Sequence, residues 1–442
     1  MSETASASVP ETPRFSVRYV RFVVVLLVLT VTLSTADRTL MAILLDDIKR
    51  EIPLTDRDLG FLLGFGFVVT HLIAAIPIAR ISDLYSRRMI LTLALVVWSC
   101  VTLVTGLSQT YLHLLLCRLG LGIGEAAGTP ASQSLVADYV SPERRTRALS
   151  LLSIGGMLGA GIGMLVGGWV SQLYDWRVAF VVFGVPGFVL ALILGLTLRD
   201  PPRGHSDGVI DVGSDERFLD VLRSLLTIRT YVLVIAAACF SGMVSYGRII
   251  WETTFLRRVY DMEPGVIGTW YLVLYTIPTI AGAYLGASLV DRLVRRDLGW
   301  YLWLPIIGHL SSIPLMLVYL LAPADQTFAG VPVGFYFAVP GSLVGIFWNG
   351  STMALAQILV RPHMRAVSAA VWNGLFTLVG LGLGPLVVGD LSVRFEADFG
   401  ANSLRYALAL VSLVPLLSCL VLVTASKTLS SDLERAGLRR DD

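Results

Sequence analysis

The sequence is short of charge. Only 15% of its 442 residues are Asp, Glu, Lys or Arg, against about a quarter in ordinary soluble domains. That shortage, with 55% apolar residues and a mean hydropathy of +0.74, excludes a soluble globular class. Cysteine is scarce too. Cys100, Cys117, Cys239 and Cys419 all fall inside apolar runs, without the spacing of a zinc site or a disulfide framework, and read as small packing residues. Among the five histidines, His71 and His309 stand alone in apolar runs and read as packing residues without a metal or relay role. No H-E-x-x-H and no G-x-x-x-x-G-K occurs, so neither zinc proteolysis nor ATP hydrolysis is supported. "SGMVSYG" around Ser245 is not G-x-S-x-G and brings no histidine at a matching depth. No enzyme, no cofactor and no metal are expected. The net charge of +2 comes from short basic clusters between apolar runs, and no nucleic-acid partner is expected.

What is present in abundance is apolar sequence long enough to cross about 30 Å of hydrocarbon. Inside a bilayer every backbone N–H and C=O must be satisfied within the segment, so runs of this length are helices. Twelve are expected, making an all-α membrane protein of two similar six-helix bundles. The divisions are a polar N-tail (1–19), a first bundle (20–198), a linker (199–228), a second bundle (229–425) and a C-tail (426–442). Basic residues gather in the loops after the second, fourth, eighth and tenth spans, in the linker and in the C-tail. Positive charge stays inside, so both termini are expected to be cytoplasmic, in a cell inner membrane and among its lipids.

Two stretches repeat. "ARISDLYSRR" (Ala79 to Arg88) and "ASLVDRLVRR" (Ala287 to Arg296) carry Ala, Asp, Arg and Arg at the same spacing, each at the cytoplasmic end of the second helix of a half. Asp83, Arg87 and Arg88, and their counterparts Asp291, Arg295 and Arg296, read as a cytoplasmic latch and charge anchor: guanidinium groups can pair with a carboxylate at a helix C-terminus. A weaker echo joins "QSLV" to "QILV". Glycine-rich "GGMLGAGIGMLVGG" and "GLGLGPLVVG" allow helices to approach closely. Two such halves are the build of a rocking secondary transporter.

Polar residues also recur at helical spacing within the spans. The first span holds Thr30, Ser34, Asp37 and Arg38; the fourth holds Arg118, Gly122, Glu125, Thr129 and Gln133. The seventh holds Ser241, Ser245, Arg248 and Glu252, and the tenth Ser342, Asn349 and Thr352 beside Trp348. Adjacent residues point about 100° apart on a helix, so Asp37 and Arg38 each need a partner from another helix. Depth offers Arg38 with Glu125, and Asp37 with Arg118 or another donor. An isolated charge there costs about 2.5–3.5 kcal/mol on insertion scales. The group reads either as a static network or as a proton-coupling site led by Glu125, then Asp37. Arg248 and Glu252, four residues apart, read as a structural pair or as an outer gate or head-group contact. Tyr246, Trp251, Phe347 and Trp348 read as bundle core or as a wall for an amphiphile.

The two halves with their Asp-x-x-x-Arg-Arg loops resemble the major facilitator superfamily. Ala79, Leu84 and Ser86 depart from that loop's usual pattern. More narrowly, "ADRTLMAILLDDIKREI", "RLGLGIGEA", "SPERRTRALS" and "LRDPPRG" resemble the spinster family. The resemblance implies that spans one, four, seven and ten line a central cavity. It also implies a monomeric transporter, proton-coupled and working by alternating access, for an amphiphile such as a lysolipid or sphingoid phosphate. Arg38, Arg118, Arg248, Glu252, Tyr246, Trp348 and Asn349 are then the expected substrate contacts. The alternative is a facilitator or exporter of small organic anions or drugs.

Overall fold

A computed structural model of the chain describes residues 15–201, 218–361 and 364–435. Among these residues nine helical stretches are long and apolar enough to cross a bilayer. The last, Val367–Arg435, runs through two spans. Two more spans are each broken in the middle: Tyr111–Glu125 with Gly128–Tyr139, and Val333–Gly345 with Trp348–Ile358. Together they make the expected twelve.

The breaks have local causes. The fourth span carries glycine at 120, 122 and 124 and loses its helix just after Glu125, at Ala126 and Ala127. The tenth span loses its helix at Ile346 and Phe347, directly after Gly345. Glycine in a helix interior costs about 1 kcal/mol relative to alanine, so both spans are weakest at mid-depth. Three other spans contain a π turn: Leu62–Gly66, Leu272–Thr276 and Thr377–Leu383. Such turns sit often at functional sites.

The spans reach further than hydropathy alone marks. The fifth begins at Pro142, where proline is suited to the first helical turn. The seventh runs to Tyr260 and stops where Asp261 turns left-handed, with φ 52°. Expected segments 1–14, 202–217 and 436–442 lie outside the described residues. The rest of the linker includes a short helix, Phe218–Thr227, whose Val221 and Leu225 are buried.

Each half closes on itself at the end that carries the termini, called the near end below. Tyr19 donates its hydroxyl to the Thr197 carbonyl at 2.9 Å, and the Thr230 N–H donates to Asp432 at 2.8 Å. At the opposite, far end the halves meet backbone to backbone. A methyl group added at Gly64 would lie 2.5 Å from the Gly382 carbonyl oxygen, and one at Gly268 would lie 2.4 Å from that of Met164. Only glycine permits these approaches. The second span is therefore sealed to the eleventh, and the fifth to the eighth, on the far side of the bundle's middle.

Candidate functional site

Asp37 and Arg38 sit about four-fifths of the way along the first span, Val17–Ile43, and diverge as helix geometry requires. Arg38 turns to the fourth span. Its Nε and Nη2 both donate to Oε2 of Glu125, at 3.0 and 2.5 Å, and its guanidinium lies 5.0 Å from the Phe67 ring centroid. Asp37 turns to the third span, Arg87–Thr105. There Trp98 donates its indole N–H at 2.7 Å and Thr102 its hydroxyl at 2.9 Å to the same oxygen, Oδ2. Gly124 lets the third span come close, since a methyl group there would lie 3.1 Å from the Trp98 backbone nitrogen.

Arg118 does not form the pairing with Asp37 that depth suggested. It is buried and donates to the Met41 sulfur at 2.9 Å. Two donors on the third span occupy Asp37 instead. Spacing along one helix does not show this, because tryptophan and threonine in an apolar run look like packing residues. One oxygen of each carboxylate, Oδ1 of Asp37 and Oε1 of Glu125, is buried without a hydrogen-bond partner among the described residues.

The Arg38 side chain keeps 28% of its surface exposed, while that of Glu125 keeps 1%. Arg38 faces a cavity of about 310 Å³ between the halves. From the second half Tyr246, Trp348, Asn349 and Phe376 line it; from the first, Thr35 and the fifth-span residues Ser153 and Met157 do. Because the fifth span runs from near end to far end, Ser153 marks an extension of the cavity toward the near end. Phe376 was not anticipated. It contacts Tyr246, Trp348 and Trp372, with centroids 5.6, 5.7 and 4.9 Å away, and so completes the aromatic wall.

Arg248 and Glu252 pair with each other at 2.9 Å, and Glu252 also accepts from Tyr319 at 3.0 Å. Both are buried within the second half. They stand off the central cavity; Arg248 lines a smaller chamber beside it.

The near-end motif forms differently in the two halves. Arg87 pairs with Asp138 and with Asp200, the latter at 3.2 Å, and also binds Ser134 at 3.1 Å. Arg88 donates to the Gly195 carbonyl. Arg87 thus clasps the ends of the fourth and sixth spans. Asp83 lies in the last turn of Phe67–Leu84, and its side chain is outside the described set. In the second half Asp291, Arg295 and Arg296 are exposed and form no ion pair with one another among the described residues.

A second charged cluster lies at the far end. Asp56 accepts from Lys49 at 2.7 Å, from Arg258 at 2.6 and 2.9 Å, and from Ser392 at 2.8 Å. Arg258 also reaches Asp46 at 2.9 Å, and Arg257 reaches Asp47 at 2.7 Å. These bonds tie the first-half connector to the seventh and eleventh spans. Nothing in the alternating signs of "DDIKREIPLTDRD" shows that its partners lie some two hundred residues away.

Comparison with known proteins decides the family. Residues 27–385 match the model of the Major Facilitator Superfamily. The chain belongs to that superfamily. A "MFS-type efflux pump" of Mycolicibacterium smegmatis is 30% identical, with 87% of each chain covered. The "Sphingosine-1-phosphate transporter SPNS2" of Xenopus tropicalis is 24% identical, over 91% of this chain and 81% of its own. Among solved structures, a bacterial homologue of the human lysosomal transporter spinster, in an inward-facing and unoccupied conformation, superposes with a TM-score of 0.86. It is 26% identical over 95% of this chain and 99% of that one. This major facilitator chain is therefore a multi-pass membrane transporter of the spinster type, with the facilitator fold that its two halves suggested.

Proposed function

We propose that the chain is a proton-coupled secondary transporter that moves an amphiphile with an anionic or zwitterionic head, such as a lysolipid or sphingoid phosphate, by alternating access. The cargo's head meets Arg38 and its apolar body lies along Tyr246, Trp348 and Phe376. Glu125 takes and releases the proton, with Asp37 as the second carboxylate. The near end faces the cytoplasm of a cell inner membrane, so the far-end seam makes this an inward-facing state. The likeness to an inward-facing spinster homologue supports that assignment. The protein works as a monomer and needs no cofactor beyond the coupling proton.

One observation carries the reading. Glu125 is bound by a single guanidinium, and that guanidinium is the member of the cluster exposed to the cavity. An anion that draws Arg38 away leaves a buried carboxylate without its countercharge. A buried carboxylate in that position is stabilised by taking up a proton, because an uncompensated buried charge costs several kcal/mol. Anion and proton then load together and travel in the same direction.

Glu125→Gln tests it. The variant keeps size and hydrogen-bonding capacity but cannot titrate. In proteoliposomes it should lose uptake driven by a pH difference while unfolding at the temperature of the wild type. Ordinary gradient dependence in a folded Glu125→Gln would end the coupling claim. The second reading, export of small organic anions or drugs, is favoured by the mycobacterial efflux pump among the relatives. A thermal-shift screen of lysolipids against small organic anions, at two pH values, separates the two.

A further inference from the structure

A polar chamber in the second half has no part in the mechanism above. We propose that it is a second subsite of the transport cavity, which takes a hydroxyl group of the cargo while Arg38 takes the anion. The proposal rests on reading the cargo as an anionic amphiphile.

The chamber holds about 50 Å³ and lies among the seventh to tenth and twelfth spans. Ser245, Tyr275, Thr279 and Trp348 border both it and the central cavity, so it is a side chamber of that cavity. In the middle of a bilayer a polar hollow is costly unless its groups find partners. A volume of this size suits one or two water-sized groups.

The chamber's chemistry follows from where its protons are committed. Ser245 donates to the Ser241 carbonyl at 3.0 Å, Ser312 to the Gly341 carbonyl at 3.0 Å, and Ser412 to the Leu408 carbonyl at 2.8 Å. Each of these hydroxyls borders the chamber with its proton already committed and can only accept. His309 is engaged by the Ser241 hydroxyl at 2.8 Å. Ser342 is 4% exposed, and its hydroxyl has no partner among the described residues. One guanidinium nitrogen of Arg248 is held by Glu252, and the group stands at the chamber's edge.

An occupant that satisfies these groups donates to serine lone pairs and accepts from Ser342, from Arg248 or from the Tyr275 and Thr279 hydroxyls that also border the chamber. A phosphate or carboxylate brings only acceptors against those lone pairs. An ammonium would face Arg248, and an alkyl group would leave Ser342 unpaired. A hydroxyl group does both tasks. Sites built to hydrogen-bond a hydroxyl discriminate against the analogue that lacks it, because their own polar groups are then left unpaired.

The test uses two lipids that differ in one group: 1-oleoyl lysophosphatidate, with its free secondary hydroxyl, and its 2-deoxy analogue. Binding is measured on the whole protein in detergent by tryptophan fluorescence. Wild type should bind the hydroxylated lipid about tenfold more tightly, the effect of two hydrogen bonds of ordinary net strength. Ser342→Ala removes a buried hydroxyl without a partner and should leave thermal stability unchanged or raised. It should cut the preference to about threefold and leave affinity for the deoxy lipid as it was. Equal binding of the two lipids by wild type overturns the subsite while leaving the anionic-amphiphile reading in place. So does a full preference in folded Ser342→Ala. If neither lipid binds, that reading and the subsite both fall.

Discussion

Asp37 shows how one residue's partners set its consequences. Its Oδ2 receives both Trp98 and Thr102, and its Oδ1 has no described partner. Trp98→Phe removes a donor and leaves the carboxylate on the Thr102 hydroxyl alone. Leaving a buried acceptor short of a partner costs about 1–3 kcal/mol, and the smaller ring adds some lost packing. Replacing both ends of a hydrogen bond costs less than the separate losses imply. Trp98→Phe should thus lower the unfolding temperature, and Trp98→Phe with Asp37→Leu should lie well above the sum of the single losses. Strict additivity in thermal unfolding would mean that Trp98 acts through packing alone. At this scale the sequence was legible wherever a charge stood in oil. Asp37, Arg38, Glu125 and Arg248 stood out because placing them there is expensive. Trp98, Thr102 and Phe376 were not legible, since their residue types are common on any buried helix face.

Among elements, the hydropathy pattern marked where spans run but not where they yield. The fourth and tenth spans are equivalent in the two halves, and both break at mid-depth beside the central cavity. Periodicity averages over a span and hides a two-residue interruption. The glycines of the eleventh span were visible as close-approach residues, and the structure places a π turn there against the second span. The seam they form is a steric device and can be wedged. Gly64→Ala sets a methyl carbon 2.5 Å from the Gly382 carbonyl oxygen and 2.8 Å from that of Leu381. Backbone on both sides cannot yield as a flexible side chain would. An overpacked contact of this kind costs roughly 1–3 kcal/mol in the sealed state only. Gly64→Ala should therefore move population toward the form open at the far end. Spin labels at Leu107 and Phe328, exposed far-end positions in opposite halves, should report a longer mean distance. Gly350→Ala meets nothing within 4 Å and should leave the distribution unchanged. A longer distance in both variants, or in neither, would mean that the glycine seam does not set the equilibrium.

For the whole molecule, the alternating access proposed above requires a far end that holds and then lets go. Glycine contacts give shape to the closed state, and the charged cluster gives it energy that water can replace. Asp56 is the cluster's hub, since it binds Lys49 within its own half and Arg258 and Ser392 across the interface. It is buried, whereas the Lys49 side chain is 35% exposed. A buried hub whose cationic partners, Lys49 and Arg258, are partly exposed stays paired while the end is shut and hydrates once the end opens. Asp56→Asn keeps the shape and removes the charge. Arg258 retains Asp46 at 2.9 Å, but the charge-assisted bonds at the hub are lost, at a cost of roughly 2 kcal/mol to the sealed form. That cost corresponds to about a thirtyfold change in the ratio of the two states. The same pair of spin labels should show the far-end-open distance growing at the expense of the closed one. High salt should act in the same direction on wild type and more weakly on the variant, because screening reaches the partly exposed Lys49 and Arg258 first. If Asp56→Asn left the distances and their salt dependence unaltered, Asp56 would not be the hub, and the electrostatic hold on the closed state would rest on the Arg258–Asp46 and Arg257–Asp47 pairs.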